Sequence, residues 1–333
     1  MNKLAKSLLG IALAFTMVSG AAIAPQTAFA AEEKINVRIV GAVLGGAVNR
    51  AYAAFAAAFM KEYPGSNVDI LPGGAVGNNS RMQRGEGEMS HTQAVLLRGA
   101  KNGTVPYRAP HDKLVSLFST NDRCRLNIIA RNGLPFKTLD EIREKKLPVN
   151  LGMSFKGTPS ELYGRWVLEA YGITYDDIKK WGGSVDFSGY AAVVNAMKDK
   201  QIDITFWCGP GQPVMFQEVG LTAPISWIPV DRPDVVAKMK EKGLFATVIE
   251  GGMAGSEGTN IPCVSDQNNI FTTADVSEDL AYKITKVFVE HIDEITAANP
   301  GWAEFNVEAA CKKAPLELHP GSARYFREIG VLK

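Results

Sequence analysis

The residues best suited to binding chemistry lie in three glycine-rich junctions, residues 41–46, 73–77 and 152–160. Each junction follows an apolar run typical of a β-strand and precedes a run typical of an amphipathic helix. The first turn of a helix has backbone N–H groups without intrahelical partners, and glycine lets a ligand approach the backbone closely. The pattern therefore predicts a carboxylate or phosphate ligand that is held largely by main-chain N–H groups.

Two of these junctions also carry polar side chains. In the third, Ser154 and Lys156 place a hydroxyl and an ammonium group before the sequence Thr158-Pro159-Ser160-Glu161, which reads as a capping box with Thr158 as the N-cap. The second offers Asn78 as a helix cap or a ligand contact. The first is a loose G-x-x-x-G-G without an acidic residue at the distance expected of a dinucleotide site, which argues against a nicotinamide cofactor.

Other chemistry is weakly represented. The sequence has no G-x-S-x-G, H-E-x-x-H or G-x-x-x-x-G-K-[ST] motif, and its four histidines are far apart. Four cysteines are also widely spaced, without a C-x-x-C pair, so we predict neither a metal site nor a cofactor. If one disulfide forms, Cys263 with Cys311 is the pair to test first; free buried thiols are the alternative.

The first 30 residues read as a secretory signal peptide. Lys3 and Lys6 precede an apolar run of signal-peptide length, and Ala28-Phe29-Ala30 supplies a small-x-small cleavage pattern. The first cysteine is Cys124, so no lipid anchor is expected, and we predict a periplasmic protein cleaved near Ala30. Without its two lysines the mature chain would carry 34 basic and 35 acidic residues, a balance that gives no electrostatic footprint for nucleic acid.

Strand-like and helix-like runs alternate along the mature chain. Such alternation predicts an α/β fold with a mostly parallel sheet covered by helices on both faces. The polar run 119–125 between two apolar segments predicts a strand that crosses between lobes, and residues 251–269 are expected to carry the return. The predicted organisation is residues 1–30 as the signal peptide, 31–120 with 262–333 as the first lobe, and 121–261 as the second.

Several motifs in this order resemble the TAXI family, the solute receptors of TRAP transporters. Residues 316–330, LELHPGSARYFREIG, resemble the family's His-Pro-Gly-Ala-x-x-Tyr-Tyr-x-Glu-x-Gly ending. Gly73-Gly74 with Arg81, Gly85-Glu86 and Gln93 resembles its Gly-Gly loop and the Gly-Glu and Gln positions that follow. Residues 152–158 are similar to its Gly-x-x-Gly-Ser-Gly-Thr loop, residues 203–213 to its Asp-Ala-x-Phe run that ends in Gly-x-Pro, and residues 277–286 also fit.

The resemblance implies a two-lobed periplasmic-binding-protein fold of type II that closes on a small anionic ligand and passes it to an integral-membrane TRAP permease with fused subunits. It implies a monomer and not an enzyme. Members usually carry Gly-Gly-Val-Tyr-Tyr-Pro where this chain has Gly45-Gly46-Ala47-Val48-Asn49-Arg50. Loss of the tyrosines and gain of Arg50 favour a small organic acid with more than one anionic group over glutamate.

Trp207 is expected at the mouth of a second-lobe strand, where it would report closure, or else in ordinary packing. Two other functions stay open: a ligand-sensing module with the same pocket but a signalling partner, and a secreted hydrolase that uses Ser154 with Lys156. The ligand-binding residues predicted from the junctions and the resemblance together are Gly45, Gly46, Asn49, Arg50, Gly73, Gly74, Asn78, Gln93, Ser154, Lys156, Gly157, Thr158, Trp207, Gly211 and Gln212.

Overall fold

The computed structural model describes residues 34–42, 46–104, 106–209, 216, 219–220, 224–252, 255–256 and 258–333. Residues 35–333 belong to one compact unit. The predicted signal peptide, Gly45, Gly211 and Gln212 lie outside the described residues. No helix in the described part of the chain is long and apolar enough to cross a membrane.

Strands and helices alternate as the sequence predicts. The strands are β1 Asn36–Val40, β2 Asn67–Leu71, β3 Met89–Gln93, β4 Leu114–Arg131, β5 Asn150–Gly152, β6 Ser184–Asp186, β7 Ile204–Gly209, β8 Ile225–Trp227, β9 Phe245–Ile249 and β10 Ile261–Thr273. The described helices are α1 Ala47–Glu62, α2 Ala75–Gln83, α3 Ala94–Asn102, α4 Leu139–Lys145, α5 Pro159–Ala170, α6 Tyr175–Lys180, α7 Tyr190–Lys198, α8 Pro233–Glu241, α9 Glu278–Glu290, α10 Ile292–Ala298, α11 Val307–Lys312 and α12 Pro320–Glu328, with a 3₁₀ turn at Pro300–Trp302.

The strands form one ten-stranded sheet in the order β2-β1-β3-β10-β4-β7-β5-β6, with β8 beside β4 and β9 beside β10. The pairs β1/β2, β1/β3, β5/β6 and β5/β7 are parallel, which confirms the α/β class. Two long strands, β4 and β10, run antiparallel to each other through the middle of the sheet. The predicted crossover segment 119–125 lies inside β4, and the later part of 251–269 lies in β10.

Apolar side chains pack into two main clusters, one on either side of these long strands. The first joins β1, β3, α1, α9 and α12 around Tyr52, Phe55 and Phe288. Tyr52, Phe55 and Phe59 are spaced three and four residues apart, so they share one buried face of α1. The second cluster joins β5, β7 and α5 around Tyr163 and also includes residues of α2 and α3. The limits of the two predicted lobes stay a prediction.

The predicted pairing of Cys263 with Cys311 is wrong. Cys124 in β4 is bonded to Cys208 in β7, with Cα atoms 5.1 Å apart. Cys263 and Cys311 are buried free thiols that pack in different apolar clusters. Sequence spacing could not reveal this pairing, because β4 and β7 become neighbours only through the sheet order.

Candidate functional site

The first two glycine-rich junctions lie side by side at the carboxyl ends of adjacent parallel strands. Gly41 N–H donates to Leu71 O at 2.8 Å, and Gly73 N–H donates to Ala42 O at 3.2 Å. A Cβ atom on Gly73 would lie 2.5 Å from Gly41 O, so only glycine allows the two loops to approach in this way. The loops end at Gly46 and Gly74, which are the N-caps of α1 and α2.

Two asparagines predicted as ligand contacts hold these loops in shape. Asn49 Oδ1 accepts from Ala42 N–H at 2.7 Å, and its Nδ2 donates to Ala42 O at 3.1 Å. Asn78 is fully buried; its Oδ1 accepts from Gly74 N–H at 2.9 Å and its Nδ2 donates to Gly41 O at 2.8 Å. We therefore expect both side chains to position the backbone around a ligand.

The helices that begin at these loops have an unusual electrostatic character. The N-termini of α1 and α2 have no side-chain cap and no acidic residue in the first turn. The same is true of α7, which begins after Gly189 near the end of β6, and of α3, although there Asp266 accepts from Val95 N–H. By contrast, α4, α6, α8, α9, α10 and α11 each carry an acidic residue in the first turn. Because a helix N-terminus carries a partial positive charge, the strand ends are left with positive charge for an anion to neutralise.

The third junction caps α5 in a modified way. Thr158 Oγ1 accepts from Glu161 N–H at 3.4 Å, as the sequence predicts. The returning bond of a capping box is displaced by one residue, because Glu161 Oε2 accepts from Gly157 N–H at 3.2 Å. Glu161 is buried and also accepts from Arg165 Nε at 3.0 Å and Tyr175 OH at 3.2 Å. One N–H group of this junction is therefore occupied by the protein's own carboxylate.

The second and third junctions meet across the sheet. A Cβ atom on Gly157 would lie 3.9 Å from Val76 Cβ, which is van der Waals contact with the first turn of α2. Gly157 has φ +81°, a conformation that favours glycine. The loop before α5 therefore lies against the uncapped start of α2.

The side chains of Ser154 and Lys156 lie in different surroundings. Ser154 is buried beside Tyr190, whose hydroxyl hydrogen-bonds to Ser160 and whose pKa is raised by burial. Lys156 is exposed, and its Nζ lies 4.7 Å from the centre of the Phe187 ring. Lys156 and Phe187 line a cavity of about 320 Å³ together with Arg165, Leu168, Glu169, Ile173, Thr174, Tyr175, Asp176 and Lys179.

The other predicted ligand-binding residues differ in how exposed they are. Arg50 is exposed in the first turn of α1. Trp207 is half-buried with its ring against Gly209, and it packs at the border of an apolar cluster around Val193. Gln93 ends β3 and is almost completely buried.

Sequence reasoning missed a buried polar group on the two long strands. Asp122 Oδ1 accepts from Thr120 Oγ1 and its Oδ2 accepts from Asn268 Nδ2, both at 2.5 Å. Burial raises the pKa of Asp122 to about 6. Asp122 lies in the polar run 119–125, which is the only sequence signal for it, and Asn268 is 146 residues away.

A second missed carboxylate connects elements that are distant in the sequence. Asp266 Oδ2 accepts from Tyr163 OH of α5 at 2.6 Å and from Val95 N–H of α3 at 3.0 Å, and Oδ1 accepts from Gln267 N–H at 2.7 Å. Burial raises the pKa of Asp266 to about 6. This carboxylate therefore connects α3 and α5 to β10.

Comparison with known proteins places the chain in a family. The model of the NMT1-like family matches residues 27–330. The chain belongs to the NMT1-like family. Among solved structures, MatC (Rpa3494) from Rhodopseudomonas palustris with bound malate is similar at 13% identity and a TM-score of 0.50, over 81% of this chain and 88% of MatC. The periplasmic binding protein BugD is similar at 16% identity and a TM-score of 0.48, over 91% of this chain and 99% of BugD.

This NMT1-like protein has an α/β fold, as predicted from its sequence, and MatC shares that fold. In open α/β sheets, ligands bind beyond the carboxyl ends of the parallel strands. Gly46, Gly74, Gln93 and Ser154 all lie at or just after such ends, of β1, β2, β3 and β5 respectively.

Proposed function

We propose that this NMT1-like protein is a periplasmic solute-binding protein that captures a small anionic solute, an organic acid or an acidic amino acid. The observation that carries the proposal is the group of uncapped, acid-free helix N-termini at Gly46, Gly74 and Gly189. Each N-terminus follows the carboxyl end of a strand, and N–H groups there favour a carboxylate. The residues suited to hold it are the backbone of these loops, with Ser154 and Gln93 as side-chain partners.

The family and the fold support solute binding. The similar MatC structure holds malate, a dicarboxylate, which agrees with the proposed ligand class. Delivery to a TRAP-type permease with fused subunits, and assignment to the TAXI type, rest on the carboxyl-terminal motif of residues 316–330 and the Gly-Gly loop at Gly73. We also propose that the mature chain is a monomer without a lipid anchor.

The hydrolase alternative loses its main support. A Ser/Lys nucleophile needs the ammonium group within hydrogen-bond reach of the hydroxyl. Here Ser154 is buried, whereas Lys156 is exposed and its ammonium lies over Phe187. Binding without turnover is the function that the arrangement supports best.

The test is calorimetry and thermal unfolding with a panel of dicarboxylates and acidic amino acids, alongside mass spectrometry of any solute that co-purifies. A solute held at about 100 times its Kd should stabilise the protein by about 2.7 kcal/mol through mass action. The solute should be recovered unchanged after incubation. A panel with no binder, or consumption of the bound compound, would contradict the proposal.

Variants at Gly74 test the site itself. Gly74 has an extended backbone and open space around its Cβ position, so Gly74→Ala should fold and bind normally. Gly74→Asp should cap α2 and stabilise it by about 1 kcal/mol, yet weaken anion binding at least about tenfold because its carboxylate competes for the same N–H groups. Ser277→Asp, at the N-cap of α9, adds the same charge elsewhere and should leave affinity unchanged. Equal affinity in Gly74→Asp and Gly74→Ala would place the anion away from α2.

A further inference from the structure

Three buried polar side chains form a hydrogen-bonded row at the carboxyl end of β3. Gln93 Nε2 donates to Asn268 Oδ1 at 2.7 Å, and Asn268 Nδ2 donates to Asp122 Oδ2 at 2.5 Å. Asp122 Oδ1 accepts from Thr120 Oγ1. The row ends at Gln93, of which only 4% is exposed. Its Oε1 atom is buried and has no hydrogen-bond partner among the described residues.

The direction of every bond in this row follows from Asp122. An ionised carboxylate only accepts hydrogen bonds, so Asn268 must turn its NH₂ group toward it. The Asn268 oxygen then faces Gln93, so Gln93 must donate to it from its own NH₂ group. The carbonyl oxygen of Gln93 is consequently the acceptor that has no donor. A buried acceptor without a donor costs about 1–3 kcal/mol, so the unliganded protein carries a cost that a suitable solute would remove.

Gln93 lies beside the strand ends at which a solute is expected. Gln93 is the last residue of β3 and the N-cap of α3, and β3 is the parallel neighbour of β1. Because Val40 of β1 is paired with Ser90 of β3, Gln93 lies level with the loop that follows β1. The amide of Asn78, in contrast, is already satisfied by backbone groups.

We propose that the solute carries a hydrogen-bond donor, a hydroxyl or an amino group, beside its carboxylate, and that Gln93 Oε1 accepts from that donor. Gln93 is then a specificity-determining residue, and Asn268 and Asp122 are positioning residues that fix which end of its amide faces the solute. The inference rests on the proposed function, since it names the chemistry of the solute held by the same strand ends. A 2-oxo acid would bring an acceptor against the Gln93 oxygen and should be rejected.

The experiment compares matched solutes by calorimetry at pH 8. The probes are glutamate, 2-hydroxyglutarate, 2-oxoglutarate and glutarate, with aspartate, malate and succinate as a shorter series and lactate with pyruvate as the shortest. In the wild type, the hydroxy or amino acid of the accepted length should bind at least about tenfold more tightly than its counterpart without a donor. Tenfold corresponds to about 1.4 kcal/mol, inside the range for one unpaired buried acceptor.

Asp122→Asn tests the row without changing its shape. An asparagine at 122 can donate to Asn268, so both amides can reverse and Gln93 can present its NH₂ group. The preference for the donor-bearing solute should fall below about threefold, chiefly because the oxo acid or unsubstituted acid binds better. Asp112→Asn is the matched control: Asp112 is exposed, bonds to Gln83 and should leave the preference unchanged.

Protonation of Asp122 gives the same test without a mutation. Because its pKa lies at about 6, the wild-type preference should decline between pH 8 and pH 5, whereas the preference in Asp122→Asn should be flat. Glu304 is the charged group whose field acts on Asp122, and it raises the pKa further. Asp266 titrates in the same range but binds Tyr163 and two backbone N–H groups, and it remains in both proteins.

Each outcome decides one point. Wild-type protein that binds a donor-bearing acid and its counterpart equally would overturn this inference and leave the proposed function standing. A preference retained in Asp122→Asn and across the pH range would overturn the role of Asp122. Failure to bind any of the probes would contradict the proposed ligand class, and this inference with it.

Discussion

The bond between Cys124 and Cys208 should supply a large part of the stability of the folded chain. The two residues are 84 apart in the sequence, and the segment between them contains α4, β5, α5, α6, β6 and α7. In the chain-entropy description, closing a loop of this length lowers the entropy of the unfolded chain enough to be worth about 4.5 kcal/mol at 25 °C. We expect Cys124→Ser with Cys208→Ser to lower the free energy of unfolding by about 3–5 kcal/mol.

The assay is urea unfolding followed by tryptophan fluorescence and circular dichroism, on oxidised wild type, reduced wild type and the double variant. Reduction and substitution should agree, because both release the same loop. The matched control replaces the two free thiols, Cys263→Ala with Cys311→Ala. These side chains are small and buried, so we expect a cost of about 1 kcal/mol or less for each and an unchanged response to reductant.

Two results would refute this reasoning. Thiol labelling followed by intact-mass measurement should find two free thiols in the unfolded, unreduced protein, and four would mean that the bond does not form. A loss below about 1 kcal/mol in the double variant would mean that the unfolded segment already holds its ends together, which would remove the entropic basis of the estimate.

Three further predictions concern single side chains. Glu161→Gln should destabilise the protein by about 1.5–3 kcal/mol in urea unfolding, since it removes the charge from a buried carboxyl group that bonds to the half-buried Arg165, and a loss below about 1 kcal/mol would contradict this. Lys156→Met should change solute affinity by less than about threefold in calorimetry, since the ammonium lies over Phe187; a loss of tenfold or more would restore Lys156 as an anchor. Burial raises the pKa of Asp122 from 3.8 to about 6, so its contribution to stability is lost as pH rises through this range, by about 3 kcal/mol at most. Thermal unfolding at pH 4–8 should show Asp122→Asn gaining on the wild type across that interval, and a constant difference would contradict the sign.

Local chemistry made the helix starts predictable. A strand, a glycine-rich loop and a helix in sequence need no knowledge of distant residues, and the predicted starts at Ala47 and Pro159 agree with the structure. The second helix begins earlier than predicted, at Ala75, so Asn78 lies within α2 and is not its cap. The capping box was only half predicted. The sequence supplies Thr158 and Glu161, but the positive φ of Gly157 brings its own N–H group to the carboxylate.

Residues far apart in the chain were beyond sequence reasoning. Asp122 and Asn268 are separated by 146 positions, and Cys124 and Cys208 by 84. Each pair forms only because β4 runs between β10 and β7, an order that follows from packing of the whole sheet. Pattern alone therefore indicates where helices present N–H groups, whereas the selection of a solute depends on contacts set by topology.

Backbone donors alone can account for the affinity of the proposed solute, without a contribution from Arg50 or Lys156. A hydrogen bond to a charged group contributes about 1.5–3 kcal/mol, so four N–H groups would contribute about 6–12 kcal/mol before the cost of ordering the solute. Micromolar affinity requires about 8 kcal/mol, which lies inside that interval. Asn49 holds the backbone of Ala42, and Asn78 holds the backbone of Gly41 and Gly74, before any solute arrives, so little ordering entropy is lost on binding. Affinity can therefore come from the backbone, which leaves side chains such as Gln93 to distinguish one acid from another.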